Sequence, residues 1–125
     1  MSIIFCLGGG GLSMVNLKEN IRRATIEMVI LKLLAEEEKY VYSLLQEIAE
    51  SSGGAYTIPE ATLYPVMYRL VKKGYIVEDT RIVDKRMRRY YQITQSGKDC
   101  YADSIREYME IMGGLDKIFQ GSEKK

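Results

Sequence analysis

Three segments of the chain repeat apolar residues every three or four positions, which is the spacing of a helix with one buried face. The first segment spans Thr25–Glu36, and the second spans about Tyr42–Ser51, where a Ser-Ser-Gly-Gly run ends the pattern. The third follows Pro59 and ends at Gly74, because glycine is common in the left-handed position after a helix. The residues predicted to face the core are Ile26, Val29, Ile30, Leu33 and Leu34 in the first helix, Leu44, Leu45, Ile48 and Ala49 in the second, and Leu63, Val66, Met67 and Leu70 in the third.

The ends of two helices depend on charge and on proline. The acidic run Glu36–Glu38 opposes the helix dipole, so we expect it to be exposed and to end the first helix. The start of the third helix stays open. If Pro59 is its first residue, Pro65 lies in the interior and should kink or widen the helix. If Thr62 is the N-cap, Pro65 occupies a position where its missing N–H is not needed.

Two β-rich runs, Tyr75–Glu78 and Tyr90–Ile93, follow the third helix and are joined by a charged connection. Three helices followed by a hairpin is the order of elements in a winged helix-turn-helix. In that fold the third helix enters the major groove, and the hairpin, called the wing, lies along the flanking phosphates. We therefore predict a mainly α fold with a small β-hairpin, in which residues 16–94 form a winged helix-turn-helix domain.

A long C-terminal helix is predicted over residues 95–120, after an N-cap-like sequence that begins at Thr94. Gly113-Gly114 interrupts it at a cost of roughly 1 kcal/mol per glycine, so its last part is expected to form a separate turn. Its apolar residues alternate in steps of four and three, which is the heptad seam of a dimerisation helix. Packing back onto the first helix is the alternative, and both can hold together. The seam consists of Tyr101, Ile105, Tyr108, Met112, Leu115 and Phe119.

Composition excludes several classes of function. The 125 residues, of which 46% are apolar, suit one domain, and no apolar run approaches the ~18 residues of a membrane span. The absence of histidine excludes imidazole ligands and histidine-based acid–base catalysis. Cys6 and Cys100 lack metal-site spacing, and the sequence contains no nucleophile motif or phosphate-binding glycine loop. We expect a cytoplasmic protein that is not an enzyme and has no catalytic residue, metal or cofactor.

Residues 1–15 differ in character from the rest of the chain. They contain a short apolar run and four consecutive glycines, Gly8–Gly11, which fit no regular element. We expect a flexible N-terminal extension. One hypothesis is that Met14 is the natural start and that the glycines are a translated ribosome-binding site; a genuine flexible apolar arm beginning at Met1 is the alternative.

Positive charge is concentrated around the third helix and the wing. The whole chain has 18 basic and 17 acidic residues, but residues 60–90 contain eight basic and four acidic ones. This local excess is the electrostatic footprint expected of DNA binding, although a solvated helix face and loop would show the same charges. The candidate DNA contacts are Thr62, Tyr64, Pro65, Tyr68, Arg69 and Lys72 on the helix, and Lys85, Arg86, Arg88 and Arg89 in the wing.

Several motifs resemble those of PadR-type transcriptional regulators, in the short form with a single C-terminal helix. The most specific are the run from Glu60 to Pro65 and the Arg-Arg-Tyr-Tyr run from Arg88 to Tyr91; Lys73-Gly74-Tyr75-Ile76 also matches. The resemblance implies a homodimer that binds double-stranded DNA at an inverted-repeat operator, often as a repressor. The family's wing often carries glycines, whereas residues 80–87 here have none.

Within the family the sequence is similar to a multidrug-responsive repressor, which implies a small apolar or aromatic effector at the dimer centre. An ungapped match from Thr94 places Tyr108 at the ligand-contacting position. The C-terminal helix of this chain is about one turn longer than that of the repressor, so Met112 is an equal candidate for the ligand-contacting position. Such residues at heptad spacing also form plain interface cores. The alternative function is a winged-helix protein-interaction module whose basic face meets an acidic partner instead of DNA.

Overall fold

The computed structural model describes residues 16–121, so the predictions for residues 1–15, including a start at Met14, lie outside the described part of the chain. The helices are α1 (Leu17–Glu36), α2 (Val41–Ser51), α3 (Glu60–Lys72) and α4 (Gln95–Gln120). The strands β1 (Lys39–Tyr40), β2 (Ile76–Val83) and β3 (Arg86–Ile93) form one antiparallel sheet in the order β1-β3-β2. The predicted fold class, mainly α with a small β-hairpin, is confirmed. None of the described helices combines the length and the apolarity that a membrane span requires.

The core lies where α1, α2 and α3 meet the base of the sheet. Every position predicted to face inward from helical spacing is buried or half-buried. The sheet adds Ile76 and Tyr91, which are also buried in this cluster. Fully burying one such side chain stabilises the fold by roughly 1.5–3 kcal/mol, so the buried apolar rows of the three helices decide how the helices pack.

α1 begins at Leu17, well before the predicted start at Thr25. Its first turns escaped the prediction because their large apolar side chains, such as Ile21, are half-exposed and contribute little to a core pattern. Polar contacts with the loop after α2 hold this part of the helix instead. Arg22 donates to the Thr57 carbonyl at 3.1 Å, and the Tyr56 hydroxyl donates to the Arg22 carbonyl at 3.1 Å.

α1 ends at Glu36 as predicted, but the acidic run after it is only partly exposed. Glu38 is half-buried, because the chain continues directly into β1, a strand that the sequence pattern did not predict. In β1, Lys39 pairs with Tyr91 and Tyr40 pairs with Tyr90 of β3. Glu36 and Glu37 are exposed as predicted, whereas Glu38 contacts Arg81 of β2 and Gln92 of β3.

α3 begins one residue after Pro59, which is the N-cap, and Pro65 lies inside the helix. The alternative in which Thr62 is the N-cap is therefore wrong: the Thr62 N–H already bonds to the Pro59 carbonyl at 3.0 Å. Pro59 as the first helical residue is wrong by one position. The predicted stop is confirmed, since Gly74 has a φ of +80° and the Tyr75 N–H returns to the Leu70 carbonyl at 3.0 Å.

The wing is more regular than predicted. β2 and β3 pair from Ile76–Ile93 out to Val83–Arg86, so the connection is only the two residues Asp84 and Lys85. Their φ values of +53° and +65° are those of a type I′ turn, whose twist matches a two-residue hairpin. The predicted long charged connection is wrong, because aspartate at a tight turn tolerates a positive φ and no glycine is required.

α4 begins with a cap on Thr94, whose hydroxyl accepts the Gly97 N–H at 3.1 Å, as the sequence indicated. The predicted interruption at Gly113-Gly114 is wrong, since the helix continues to Gln120. The first part of α4 packs against α1, with Tyr101 and Ile105 half-buried. Its second part presents an apolar stripe broader than the predicted seam. The exposed members are Tyr108, Met109, Ile111, Leu115, Ile118 and Phe119, with Met112 half-exposed beside them.

Candidate nucleic-acid interface

The outer face of α3 is defined by the residues opposite its buried row. Leu63, Val66, Met67 and Leu70 point inward. At 100° per residue, Ala61, Pro65, Tyr68 and Lys72 point directly outward, and all four are exposed. Thr62 and Arg69 lie on the flank of this outward row, and Tyr64 lies on its other flank. Of the candidate contacts on α3, Pro65, Tyr68 and Lys72 therefore lie on the outward face, and Thr62, Arg69 and Tyr64 lie at its borders.

Arg69 turns from the outer face toward α1. Its Nε lies 3.2 Å from a Glu27 carboxylate oxygen, and the Lys73 Nζ lies 3.3 Å from the other oxygen. These pairs are half-exposed, so each contributes little to stability. Their effect is to orient two cations of α3 on the side that faces α1. Lys72 instead remains beside the outward Tyr68, with its Nζ 5.7 Å from the ring centroid.

An open groove of about 820 Å³ separates the start of α3 from β3. Aromatic and basic side chains dominate its walls, and the start of α2 closes one end. The lining residues are Tyr40, Val41, Tyr42, Glu60, Tyr64, Arg86, Met87, Arg88 and Arg89. Three of the four predicted wing cations therefore lie in one concave surface with Tyr64. The fourth, Lys85, lies exposed in the turn at the wing tip.

Tyr64 is partly exposed in this groove, and its hydroxyl donates to Glu60 at 3.0 Å. That hydrogen bond to a carboxylate raises the pKa of the Tyr64 hydroxyl above its ordinary value. Tyr42, on the first turn of α2, is also exposed in the groove and was not predicted from the sequence. The signals that could have suggested Tyr42 are its position at the start of a helix and the Tyr-Val-Tyr run from Tyr40 to Tyr42.

Arg88 and Arg89 point to opposite faces of β3, as alternation along a strand requires. The Arg88 guanidinium lies over the Tyr40 ring, 4.6 Å from its centroid, and is half-buried. The Arg89 side chain is 65% exposed, and its Nε lies 3.4 Å from Glu78. Arg88 therefore braces the hairpin against β1, whereas Arg89 is the more available cation.

Arg81 anchors the wing and was not predicted to do so. Its two Nη atoms donate to both carboxylate oxygens of Glu38, at 2.6 and 2.7 Å, and its Nε donates to Asp79 at 2.9 Å. The guanidinium also lies 4.4 Å from the centroid of the Tyr90 ring as it crosses the central strand. Gln92 adds a hydrogen bond to Glu38 at 2.7 Å. Such bidentate pairs have a defined geometry, so this contact ties the wing to the segment that joins α1 to β1.

The same contacts shift the pKa values of both Glu38 and Arg81. The hydrogen bonds from Arg81 and then Gln92 lower the pKa of Glu38 from 4.5 to about 2. The carboxylates raise the pKa of the Arg81 guanidinium further above its ordinary value. Glu38 is therefore ionised throughout the neutral range, and Arg81 is occupied by protein carboxylates rather than available to DNA.

A family model for the transcriptional regulator PadR-like family matches residues 30–103, which include α2, α3, the sheet, the groove just described, the end of α1 and the start of α4. The chain belongs to the PadR-like family of transcriptional regulators. Members of this family are regulators rather than enzymes. In the described residues of this PadR-like chain, no cluster of three or more cysteine, aspartate or glutamate side chains is arranged to hold a metal ion.

Similar proteins support the assignment. The transcriptional regulator Rv3488 of Mycobacterium tuberculosis is 33% identical over 97 residues, covering 74% of this PadR-like chain and 88% of that protein. A transcriptional regulator from Clostridium thermocellum has a TM-score of 0.74 at 31% identity, over 78% of this chain and 96% of the other. Bacillus subtilis PadR in complex with operator DNA has a TM-score of 0.61 at 27% identity, over 65% of this chain and 46% of that one. The fold is therefore a PadR-type winged helix.

A second groove, of about 500 Å³, lies between α1, α2 and α4 of this PadR-like chain. Its walls are largely apolar, with Met28, Val29 and Ile105 among the lining residues. Tyr108, one of the two predicted ligand contacts, lines it, while Met112 lies one turn further along α4 and is not part of the wall. The groove has the concave, aromatic-lined character of small-molecule sites.

Proposed function

We propose that this PadR-like chain binds double-stranded DNA through α3 and the wing, as a sequence-specific transcriptional regulator. The observation that carries the proposal is the exposed outward row of α3, which lies beside a groove lined by Tyr64 of the same helix and by three wing arginines. A helix of this kind enters the major groove with its first turns toward the base edges. Bacillus subtilis PadR, which shares this fold, has been solved in complex with operator DNA, and this supports DNA binding by the present chain.

The proposed role of each side chain follows from its exposure and from the contacts that it makes within the chain. Arg86, Arg89 and Lys85 are exposed and would bind phosphates, which supply most of the affinity. Tyr64 and the newly recognised Tyr42 would donate hydroxyls to phosphates on the groove wall. Arg88 contributes mainly by fixing the hairpin. The chain would bind the DNA that it regulates in the cytoplasm.

We also propose that α4 (residues 95–120) is a dimerisation helix. Its apolar stripe continues beyond the part that packs on α1, and Tyr108, Leu115 and Phe119 remain accessible in the single chain. A two-fold dimer would bury these side chains against the same surface of a second copy. It would also present two copies of α3 about one helical turn of DNA apart, ~34 Å, to an inverted-repeat operator.

The regulatory role we propose is repression relieved by a small apolar or aromatic effector, as the likeness to multidrug-responsive repressors implied. Tyr108 lines the groove under α4, and Met112 is the next turn toward the proposed dimer centre. A ligand there would release the operator only by binding more tightly to a dimer geometry that DNA disfavours.

The test is a mobility shift with the chain's own upstream DNA, repeated at several salt concentrations. Specific binding that weakens steeply with salt is expected. Absence of binding to any duplex would instead favour a protein-interaction module. Tyr108→Asp, followed by sedimentation and mobility shift, tests the dimer: charge in the seam should dissociate it and abolish operator binding together. A variant that stays dimeric and binds normally would remove Tyr108 from the interface.

A further inference from the structure

The first two turns of α3 lack the side chains that most often read bases. Arginine, lysine, asparagine and glutamine make the bidentate contacts to guanine and adenine. None of them occurs in residues 60–67, and the first cation directly on the outward row is Lys72, in the last turn. The outward positions of the first turns are Ala61 and Pro65, one turn apart, with Thr62 beside them. This surface is apolar, apart from backbone groups and one hydroxyl.

Pro65 changes the backbone on that surface. A proline inside a helix has no N–H, so it cannot donate the hydrogen bond that the carbonyl four residues earlier normally accepts. The carbonyl concerned is that of Ala61. Both residues are exposed on the outward face, so the Ala61 carbonyl loses its ordinary helical donor where α3 would meet DNA. The carboxylate of the preceding residue, Glu60, accepts a hydrogen bond from the Tyr64 hydroxyl at 3.0 Å.

We propose that the first two turns of α3 recognise A·T base pairs through the Ala61 carbonyl and the apolar surface of Ala61, Thr62 and Pro65. In the major groove, an A·T pair presents the adenine N6 amine, a donor, together with the thymine methyl group. The carbonyl would accept from the amine, and the apolar surface would cover the methyl. Guanine presents two acceptors, which oppose a carbonyl, and cytosine presents a donor without a methyl. This inference rests on the proposed DNA binding.

The experiment begins with selection of binding sites from a pool of random-sequence duplexes by the full chain. Enriched half-sites should contain A·T pairs at the positions protected by the start of α3. Two modified versions of the selected duplex then separate the contacts. Deoxyuridine in place of thymidine removes only the methyl, and purine deoxyriboside in place of deoxyadenosine removes only the N6 amine. Each should weaken wild-type binding about fourfold to fivefold per contacted base pair, the factors for one buried methyl-sized group and one net hydrogen bond.

Two variants assign the effects to the protein. Pro65→Ala restores the backbone donor for the Ala61 carbonyl, so the loss on removing the N6 amine should disappear. Because alanine favours helix, the variant should fold, which circular dichroism checks. Thr62→Ser removes one methyl from the apolar surface and should reduce the loss caused by deoxyuridine. Neither variant should change the dependence of binding on salt.

The outcomes are distinguishable. Specific binding that is unaffected by either modified base at every position would overturn the proposed recognition while leaving DNA binding intact. Enrichment of G·C pairs opposite the start of α3 would overturn it as well. If selection enriches no sequence, the proposed function itself fails, and base recognition fails with it.

Discussion

Arg89 gives a sharp test of the wing, because its guanidinium lines the groove and is largely exposed. The side chain is 65% exposed and lies beside Glu78, with 3.4 Å between Nε and the carboxylate. An exposed pair of this kind is worth at most about 1 kcal/mol, so a phosphate can replace the carboxylate at little cost. Arg89→Gln keeps a polar side chain on the strand and removes the charge. We expect weaker binding to all DNA sequences alike.

The magnitude follows from counterion release. Each phosphate contact contributes about 0.9 to the slope of log K against log salt, and a dimer on its operator carries two copies of Arg89. The slope should therefore become shallower by about 1.8. Between 50 and 200 mM salt, a fourfold change, the affinity advantage of the wild type should shrink by roughly 12-fold. Fluorescence anisotropy at four or more salt concentrations measures both values.

Arg106 supplies a matched control. Its side chain is 70% exposed and is paired with Asp103 at 2.5 Å, but it lies on α4 rather than in the groove. Arg106→Gln removes the same charge and should leave the slope unchanged. Equal slopes for the wild type and a folded Arg89→Gln would remove Arg89 from the DNA contact. If both variants made the slope of log K against log salt shallower by the same amount, the effect would be one of net charge in general instead.

Three further predictions concern stability and the groove. Gly97→Ala should lower the free energy of unfolding by about 1–3 kcal/mol, because the added methyl would lie 2.1 Å from the Tyr75 carbonyl oxygen. Gly113→Ala places its methyl in open space and should raise the free energy of unfolding by about 0.5–1 kcal/mol. Urea titrations measure both changes. Tyr64→Phe should leave unfolding unchanged and weaken DNA binding by about 0.5–1.5 kcal/mol; unchanged affinity would make its hydroxyl irrelevant to DNA. Since the folded pKa of Glu38 is about 2, its contribution to stability is complete above pH 4.5 and is lost as the pH falls toward 2. Acid titration of Glu38→Gln should lack that loss.

The sequence predicted the fold well because the core is made of helical stripes. Burial of apolar side chains dominates folding, so the buried position of a residue such as Leu63 or Leu70 can be inferred from its spacing along the sequence alone. The same logic failed at the first turns of α1, where Leu17 and Ile21 stay partly exposed. It failed again in the wing. There, charged residues hide the two-residue alternation of the strands, and Asp84 takes a turn conformation usually signalled by glycine.

The candidate site was predicted in part, and its limits have a physical cause. Cations on and near α3 can be found from the sequence, but their partners cannot. Glu38 and Arg81 are 43 residues apart, and their contact depends on β1, a two-residue strand with no pattern of its own. Arg69 and Glu27 are 42 residues apart. Sequence therefore identified the charges, whereas the structure showed which of them are already engaged.

α1 joins the proposed DNA interface to the groove beneath α4. Glu27 on α1 holds Arg69 of α3, and Glu38, just beyond its end, holds Arg81 of the wing. Met28 of the same helix lines the groove that Tyr108 closes. An effector bound there would touch the helix whose Glu27 holds α3, and under the proposed function it would alter DNA affinity only as far as it prefers one position of α1 over another. Because Arg69 is turned toward Glu27 of α1, whereas Arg89 lines the groove, Arg69 should contribute less to DNA affinity than Arg89, while still holding α3 against α1.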